Sequence, residues 1–196
     1  MTMLNGRRIA ILVAEGFEQV EMTEPRKALE QAGAETEIVS PAQGEVQGWN
    51  HFDKADRFHV DVPLDEADAD DYDALLLPGG VANPDQLRTQ PKAVQFVKRF
   101  FEDSTPVGVI CHGPWTLIEA GVVKGRTLTS WPSLKTDLVN AGAKWVDQEV
   151  VTDRGLVSSR KPADIPAFTR KLIEEIEEGS HAGRTGRPSA EQRAPR

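Results

Sequence analysis

The sequence has very little cysteine: Cys111 is the only one in a chain of 196 residues. A single cysteine cannot form a disulfide within the chain, which agrees with a reducing compartment. No apolar run approaches the roughly 20 residues that a membrane-spanning helix needs, and the N-terminus lacks the pattern of a signal peptide. We therefore expect a cytoplasmic protein with no membrane partner.

Positive charge is also in the minority. The chain has 23 Lys and Arg residues and 31 Asp and Glu residues, which gives a net charge of -8. A phosphate backbone is bound by a basic surface, so we expect no nucleic-acid partner. One cysteine and four scattered histidines provide no ligand spacing for a metal site. No glycine-rich phosphate-binding pattern follows a strand. The expectation is a protein without a metal or a cofactor.

Strand-like and helix-like segments alternate along the chain. Compact apolar runs predict strands buried in a parallel sheet, at residues 7–13, 36–40, 73–77 and 106–110. Apolar residues at helical spacing predict helices, ending near residue 32 and covering residues 91–101 and 164–178. The polar stretch 43–62 predicts small antiparallel strands or a hairpin extension with Gly48, Trp49 and Asn50 at its tip. This alternation predicts an α/β fold, a mostly parallel sheet with helices on both faces.

The length of the chain fits a single domain with a sizeable core. After Gly179 the composition changes to Gly, Arg, Pro and Ser, which is typical of segments that do not fold. We therefore predict one domain at residues 1–178 and a disordered tail at 179–196.

The stretch at residues 106–121, PVGVICHGPWTLIEAG, is the centre of the predicted chemistry. It predicts a buried strand, a sharp corner at Cys111 and His112, and a short helix beginning near Pro114. Such a corner exposes a nucleophile and directs the positive end of a helix dipole at it, which favours the thiolate. A free cysteine is more often a small buried apolar residue, but this setting favours a catalytic nucleophile.

A carboxyl group beside the thiol could share or move a proton, and partial burial would raise its pKa. Glu18, where the first predicted helix begins, is one candidate, and Glu15 and Glu21 compete with it. Periodicity does not choose among the three. A glutamate at the start of a helix is also explained simply by its stabilisation in the helix dipole.

Gly79 and Gly80 follow a predicted strand and are candidates for an oxyanion hole. Their backbone N–H groups could point at a developing oxyanion, with the N–H of His112 as a second donor, although a plain turn also explains the pair. The side chain of His112 need not pair with Cys111, because neighbouring side chains on a sharp corner can diverge. His181 is the only later histidine, so a class I glutamine amidotransferase arrangement lacks its residues.

The chain resembles the PfpI family, the intracellular-protease and general-stress-protein branch of the Parkinsonism-associated deglycase superfamily. The resemblance extends from about residue 7 to residue 178. It is carried by GFEQVEMTEPRKAL, LLLPGG, PVGVICHGPWTLIEAGVVKGRTLTS, NAGAKWVDQEVV and LVSSRKPADIPAF. It implies a flavodoxin-like three-layer sandwich and a homodimer, assembled into hexamers in some members.

By motif position the resemblance also assigns roles to residues. It implies Cys111 as the nucleophile, Glu18 as the acid beside the thiol and His112 as the neighbouring histidine. It implies that Asp85, at a position where relatives often carry Glu, completes the set across a subunit interface.

Several activities are associated with the family that the chain resembles. We expect a stress-protective glyoxalase or deglycase that acts on methylglyoxal and glyoxal, or on their early adducts with proteins. Two alternatives remain open. One is an intracellular cysteine peptidase assembled across subunits, and the other is a redox-responsive stress or chaperone protein.

Overall fold

The computed structural model describes residues 3–179, so that all of the predicted tail after Gly179 lies outside the described residues. A seven-stranded sheet forms its centre. In spatial order the strands are β11 (Val150–Asp153), β12 (Leu156–Ser159), β8 (Val107–Ile110), β7 (Ala74–Leu77), β1 (Arg8–Leu12), β3 (Glu35–Ser40) and β6 (Val62–Pro63). Every neighbouring pair is parallel except β11 with β12. The predicted, mostly parallel sheet is confirmed.

Helices cover both faces of this sheet. They are α1 (Gln19–Gln31), α2 (Ala82–Leu87), α3 (Pro91–Glu102), α4 (Pro114–Glu119), α5 (Lys135–Asn140) and α6 (Ile165–Glu178). Alternate strand residues point to opposite faces, and they divide the core in two. Ile9 and Ile11 pack in the cluster that contains α1 and α6 side chains, whereas Ala10 and Leu12 pack with those of α3, α4 and α5. The predicted three-layer sandwich is confirmed.

A separate three-stranded sheet lies beside the main one. It contains β2 (Phe17–Glu18), β4 (Glu45–Asn50) and β5 (Asp53–His59), with β4 and β5 forming an antiparallel hairpin. The predicted tip at residues 48–50 is wrong, because these residues lie inside β4 and the turn is at His51 and Phe52. Gly48 is needed for packing instead, since a Cβ there would lie 3.2 Å from the rings of Phe17 and Phe58.

Two further short strands, β9 (Thr127–Leu128) and β10 (Lys144–Trp145), pair in parallel. Within residues 3–179, no helix has both the length and the apolar character needed to span a membrane. The parallel order of β1, β7 and β8 brings their carboxyl ends to one edge of the sheet, where ligand sites of such folds form.

Candidate active site

Cys111 occupies the predicted corner between β8 and α4. Its φ of 62° places a residue other than glycine in the left-handed region, a conformation that costs roughly 1–3 kcal/mol and persists only where the surroundings enforce it. Here Cys111 N–H donates to the carbonyl of Ser159 over 3.2 Å, and its own carbonyl accepts from Trp131 N–H over 2.9 Å. The end of β12 and the loop at Trp131 therefore hold the corner in place. The side chain is buried, with 6% of the residue exposed.

Glu21 in the first turn of α1 provides the carboxyl group that contacts the thiol. The residue is completely buried, and its Oε2 accepts a hydrogen bond from Gly79 N–H over 2.8 Å. Its Oε1 is buried with no N–H or O–H donor among the described residues, which leaves the thiol of Cys111 as the remaining hydrogen-bond partner of the carboxyl group. Burial raises the pKa of Glu21 to about 8, and the nearby charge of Glu18 acts in the same direction.

Glu18 does not occupy the place that the sequence resemblance implied. It lies at the N-cap of α1 with an extended backbone, and its Oε2 accepts from His51 N–H over 3.0 Å. Glu15 is also engaged elsewhere, since its Oε2 accepts from Gln47 N–H over 3.1 Å. Of the three competing acids, the structure brings Glu21 against the thiol.

His112 faces the thiol rather than diverging from it. Its Nδ1 lies 3.1 Å from the Sγ of Cys111, and its Nε2 lies 3.5 Å from the Oγ of Ser133. The indole of Trp131 stacks on the imidazole at a centroid distance of 5.8 Å, and Trp115 meets it edge-on at 5.3 Å. Burial lowers the pKa of His112. A neutral imidazole with its proton on Nε2 can then accept a hydrogen bond from the thiol.

The electrostatics of Cys111 differ from the expected stabilised thiolate. Burial raises the pKa of the thiol well above its usual range, and the negative charge of Glu21 adds to the effect. The backbone N–H groups of Gly80 and His112 oppose the increase by hydrogen bonding to the sulfur. A protonated Glu21 no longer repels a thiolate and can donate a hydrogen bond to it. Cys111 and Glu21 therefore act as a coupled pair that shares protons.

Of the three residues predicted to form an oxyanion hole, two direct their backbone N–H groups at the sulfur of Cys111. The N–H groups of Gly80 and His112 point at the sulfur, whereas the N–H of Gly79 is used by Glu21. Gly79 has a steric role instead, because a Cβ there would lie 2.6 Å from both the Cβ of Cys111 and the Oε2 of Glu21. Gly80 adopts a φ of 77°, and a Cβ on it would lie 2.5 Å from the carbonyl oxygen of Gly16.

Asn83 is a site residue that the sequence reasoning missed. It is completely buried, and its Oδ1 accepts from Ala14 N–H over 2.7 Å. Its Nδ2 donates to the carbonyls of Pro78 and Gly79 over 2.9 and 3.0 Å. Asn83 thus ties the loop after β1 to the turn after β7. A buried amide has no periodic signature, and only its position three residues after Gly80 could have suggested this role.

Asp85 lies on α2 and does not contact His112 within the chain. Its side chain is 57% exposed, and its Oδ1 is 3.1 Å from the Nη2 of Arg88. The guanidinium of Arg88 lies over the ring of Trp115 at 5.2 Å, and Trp115 meets the imidazole of His112 edge-on. Within the chain, Asp85 is therefore linked to His112 only indirectly, through Arg88 and Trp115.

Metal-binding side chains are not grouped in the part of the chain that the structure describes. Among residues 3–179, no group of three or more His, Cys, Asp or Glu side chains is arranged to hold a metal ion. Cys111 and His112 contact each other instead.

The raised pKa of Glu21 predicts a measurable pH dependence of stability. The folded-state pKa of about 8 exceeds the ordinary value of 4.5, so the folded protein binds more protons than the unfolded chain between these values. The stabilisation is complete below the lower value and is lost as the pH rises through the higher one. We expect the free energy of unfolding of the wild type to fall over this window, by at most about 4 kcal/mol, relative to Glu21→Gln.

Urea denaturation of both proteins at about pH 5 and about pH 8 measures this difference. Glu24→Gln is the matched control, because Glu24 lies on the same helix and is exposed; it should keep the wild-type pH dependence. Parallel curves for the wild type and Glu21→Gln would contradict the raised pKa.

Comparison with known proteins shows that the chain has many relatives. The pattern of the DJ-1/PfpI family matches residues 7–175. A deglycase of Thermococcus kodakarensis is 43% identical over 166 residues, which are 85% of this chain and 97% of that protein. General stress protein 18 of Bacillus subtilis is 43% identical over 174 residues, covering 88% of this chain and 99% of the relative.

Another Bacillus subtilis relative, YraA, has a provisional name as a cysteine protease. It is 41% identical over 167 residues, covering 85% of this chain and 96% of the relative. Among solved structures, Schizosaccharomyces pombe DJ-1 matches with a TM-score of 0.77 at 26% identity, over 86% of this chain and 91% of that one. The relatives thus share the fold and differ in the activities that their names state.

Proposed function

Because the chain belongs to the DJ-1/PfpI family, we propose that it is a cofactor-free, cysteine-dependent glyoxalase or deglycase. Its substrates are methylglyoxal and glyoxal, either free or as early adducts on proteins. One observation carries the proposal: the buried carboxyl group of Glu21, with a pKa raised to about 8, contacts the thiol of Cys111. A group that both holds and releases protons near neutral pH is placed beside a nucleophile, as general acid–base catalysis requires.

The first step is addition of the sulfur of Cys111 to the aldehyde carbon. The coupled pair of Cys111 and Glu21 releases one proton, a carbon–sulfur bond forms, and the π electrons of the carbonyl move to its oxygen. The N–H groups of Gly80 and His112, which hydrogen-bond the sulfur in the free protein, are positioned to stabilise that oxyanion. Protonation of the oxygen gives a hemithioacetal.

The second step moves a proton between the two carbons of the substrate. Glu21 removes the proton from the carbon bonded to sulfur and returns a proton to the neighbouring carbon, so that the ketone becomes an alcohol and the hemithioacetal becomes a thioester. One carbon is oxidised while the other is reduced, and no external electron acceptor is needed. Water then hydrolyses the thioester, so that methylglyoxal and water yield lactate and the free thiol.

The same chemistry accounts for both a glyoxalase and a deglycase activity. Early adducts are in equilibrium with the free aldehyde. Removal of the aldehyde therefore shifts this equilibrium toward dissociation of the adducts. The stress-protein and deglycase names among the relatives support this proposal. The proposal also includes a cytoplasmic location and a homodimer, with hexamers as a further assembly.

The proposal is tested by incubating the wild-type protein with methylglyoxal in D2O and identifying the product. We expect lactate with deuterium on C2, because the proton on Glu21 exchanges with solvent before it is delivered. A sample without protein is the control, since methylglyoxal also reacts with buffer components. A folded protein that forms no lactate would overturn the proposed function.

A cysteine peptidase is the second candidate, and the 3.1 Å contact between Cys111 Sγ and His112 Nδ1 favours it. The name of the Bacillus subtilis relative YraA points the same way. Amide hydrolysis also needs a general acid for the leaving nitrogen, and in this proposal Asp85 of a neighbouring subunit orients His112 for that task. Turnover of small peptides that disappears in Asp85→Ala, or on dissociation of the oligomer, would favour the peptidase.

A further inference from the structure

The side-chain amide of Asn83 binds two successive peptide groups in the turn after β7. Its Nδ2 donates to the carbonyl of Pro78 over 2.9 Å and to the carbonyl of Gly79 over 3.0 Å. An amide nitrogen carries two hydrogens, so the two carbonyls use both of them. Asn83, Pro78 and Gly79 are all buried. Loss of the amide would therefore leave two carbonyls without their donor in a place removed from water, which is costly.

Each of these carbonyls shares a peptide group with an N–H that contacts a reactive residue. A trans peptide group is planar, and its C=O and N–H point in opposite directions. The peptide group with the Pro78 carbonyl contains the N–H of Gly79, which donates to Glu21 Oε2 over 2.8 Å. The next one, with the Gly79 carbonyl, contains the N–H of Gly80, which hydrogen-bonds the sulfur of Cys111. Fixing the two carbonyls therefore fixes the direction of both N–H groups.

The turn needs such a restraint because two glycines stand in succession. Glycine adopts positive and negative φ about equally well, and Gly80 has a φ of 77°. The peptide group between Gly79 and Gly80 could therefore rotate and turn its N–H away from the sulfur. Its carbonyl accepts from Glu18 N–H over 3.3 Å and from Asn83 Nδ2 over 3.0 Å. Asn83 thus supplies the shorter of the two hydrogen bonds that oppose the rotation.

The amide of Asn83 is itself held from two sides. The residue lies in the first turn of α2, and its Oδ1 accepts from Ala14 N–H over 2.7 Å. Ala14 is two residues beyond the end of β1. One N–H donor and two carbonyl acceptors also leave a single orientation of the amide that satisfies every partner. The position of the turn is therefore set by the end of β1 and the start of α2.

We propose that Asn83 is a positioning residue that orients both members of the reactive pair at once. Through one peptide group it directs an N–H at Glu21, and through the next it directs an N–H at Cys111. Its effect on the thiol concerns the free protein and does not depend on the substrate. Its effect on turnover rests on the proposed function, in which the N–H of Gly80 stabilises the oxyanion.

The two N–H groups favour the charged forms of the residues that they contact. The hydrogen bond from Gly79 N–H lowers the pKa of Glu21. The hydrogen bond from Gly80 N–H lowers the pKa of the Cys111 thiol. Both effects oppose the burial that raises these pKa values, so loss of the restraint should raise both pKa values further.

The experiment measures the rate at which iodoacetamide alkylates Cys111 in the wild type and in Asn83→Ala. The rate follows the thiolate fraction, and it reports on one site because the chain has a single cysteine. The pH is raised until the rate no longer increases. We expect the profile of the variant to lie about one pH unit higher, so that it reacts about tenfold more slowly below the plateau.

The shape of the profile separates orientation from access. A variant that only changes access to the sulfur would alter the rate by the same factor at every pH, including the plateau. The other ionisable groups near the pair, His112 beside the sulfur and Glu18 near Glu21, remain in both proteins. A shift of the profile along the pH axis with an equal plateau therefore reports on the turn.

Gln86→Ala is the matched control, because Gln86 lies on the same helix and also donates to a backbone carbonyl. Its Nε2 binds the carbonyl of Glu15 over 2.9 Å, in the loop after β1 rather than in the turn. This variant should keep the wild-type profile. Asn83→Asp replaces the alanine variant if that one does not fold, since it keeps the volume and the acceptor for Ala14 N–H. We expect a shift in the same direction.

An unchanged alkylation profile in a folded Asn83 variant would overturn the proposal, and a lower urea midpoint alone would then indicate a purely structural role. In the lactate assay we expect kcat of Asn83→Ala to fall by about tenfold to 100-fold with KM within about twofold, because the oxyanion forms only during the reaction. A wild type that forms no lactate, beside a shifted profile in the variant, would refute the proposed function and support the positioning role.

Discussion

Replacement of Cys111 by alanine is expected to abolish lactate formation from methylglyoxal, a loss of about 10⁴-fold or to the background rate. In the proposed mechanism the sulfur forms the bond to the aldehyde carbon in the first step, and no second thiol can replace it, since Cys111 is the only cysteine of the chain. Alanine keeps the Cβ and the backbone conformation of the corner, so the fold should be retained. The measurement is lactate production at matched protein concentration, with the urea midpoint of each protein beside it.

A serine variant extends this test, because its hydroxyl preserves the size and the polarity of the thiol. We expect it to be nearly as inactive as alanine, since a hydroxyl is a far weaker nucleophile at neutral pH. Lactate formation at the wild-type rate by a folded alanine variant would assign the activity to another group.

Replacement of Glu21 by glutamine is the second large effect, and we expect a loss of about 10²–10⁴-fold in kcat. Glutamine keeps the shape of the side chain, and its carbonyl oxygen can still accept the hydrogen bond from Gly79 N–H. It can no longer take a proton from one substrate carbon and return it to the other. Addition of the sulfur should persist, so that the variant accumulates a hemithioacetal detectable by mass spectrometry.

Glu24→Gln provides the matched control for this prediction, because it makes the same chemical change on an exposed face of α1, three residues away. Its activity should remain within about twofold of the wild type, as for surface substitutions away from a site. Equal activity of Glu21→Gln and Glu24→Gln would exclude proton transfer by Glu21 and leave its carboxyl group a structural role.

The corner at Cys111 could be predicted because its determinants are local. A short β-branched run indicates β8, Pro114 marks the first turn of a helix, and the residue between them must turn sharply. The structure has this corner, with a φ of 62° at Cys111. The mostly parallel sheet could also be predicted, from the alternation of strands and helices along the chain.

The identity of the acid could not be predicted, because it depends on where α1 begins. Glu18 is extended and precedes the helix, whereas Glu21 is three residues later in its first turn and faces the sheet. The contact that draws Glu18 away comes from His51, 33 residues further along the chain, and local periodicity contains no information about it.

The orientation of His112 also depends on distant residues. Adjacent side chains on a corner can diverge, but the stacked ring of Trp131 holds the imidazole toward the sulfur. Asp85 differs from His112, because its predicted contact is not within the chain. Its partner in the predicted arrangement belongs to another subunit, and within the chain it pairs with Arg88.

The hairpin of β4 and β5 belongs to a different sheet from β8, the strand that presents Cys111. Its tip is at the surface, where Phe52 is 90% exposed, and a surface turn accepts insertions and deletions readily. Changes in the length of this hairpin would therefore leave β8 in place. The architecture thus allows the hairpin to diverge in evolution while the reactive corner is inherited intact.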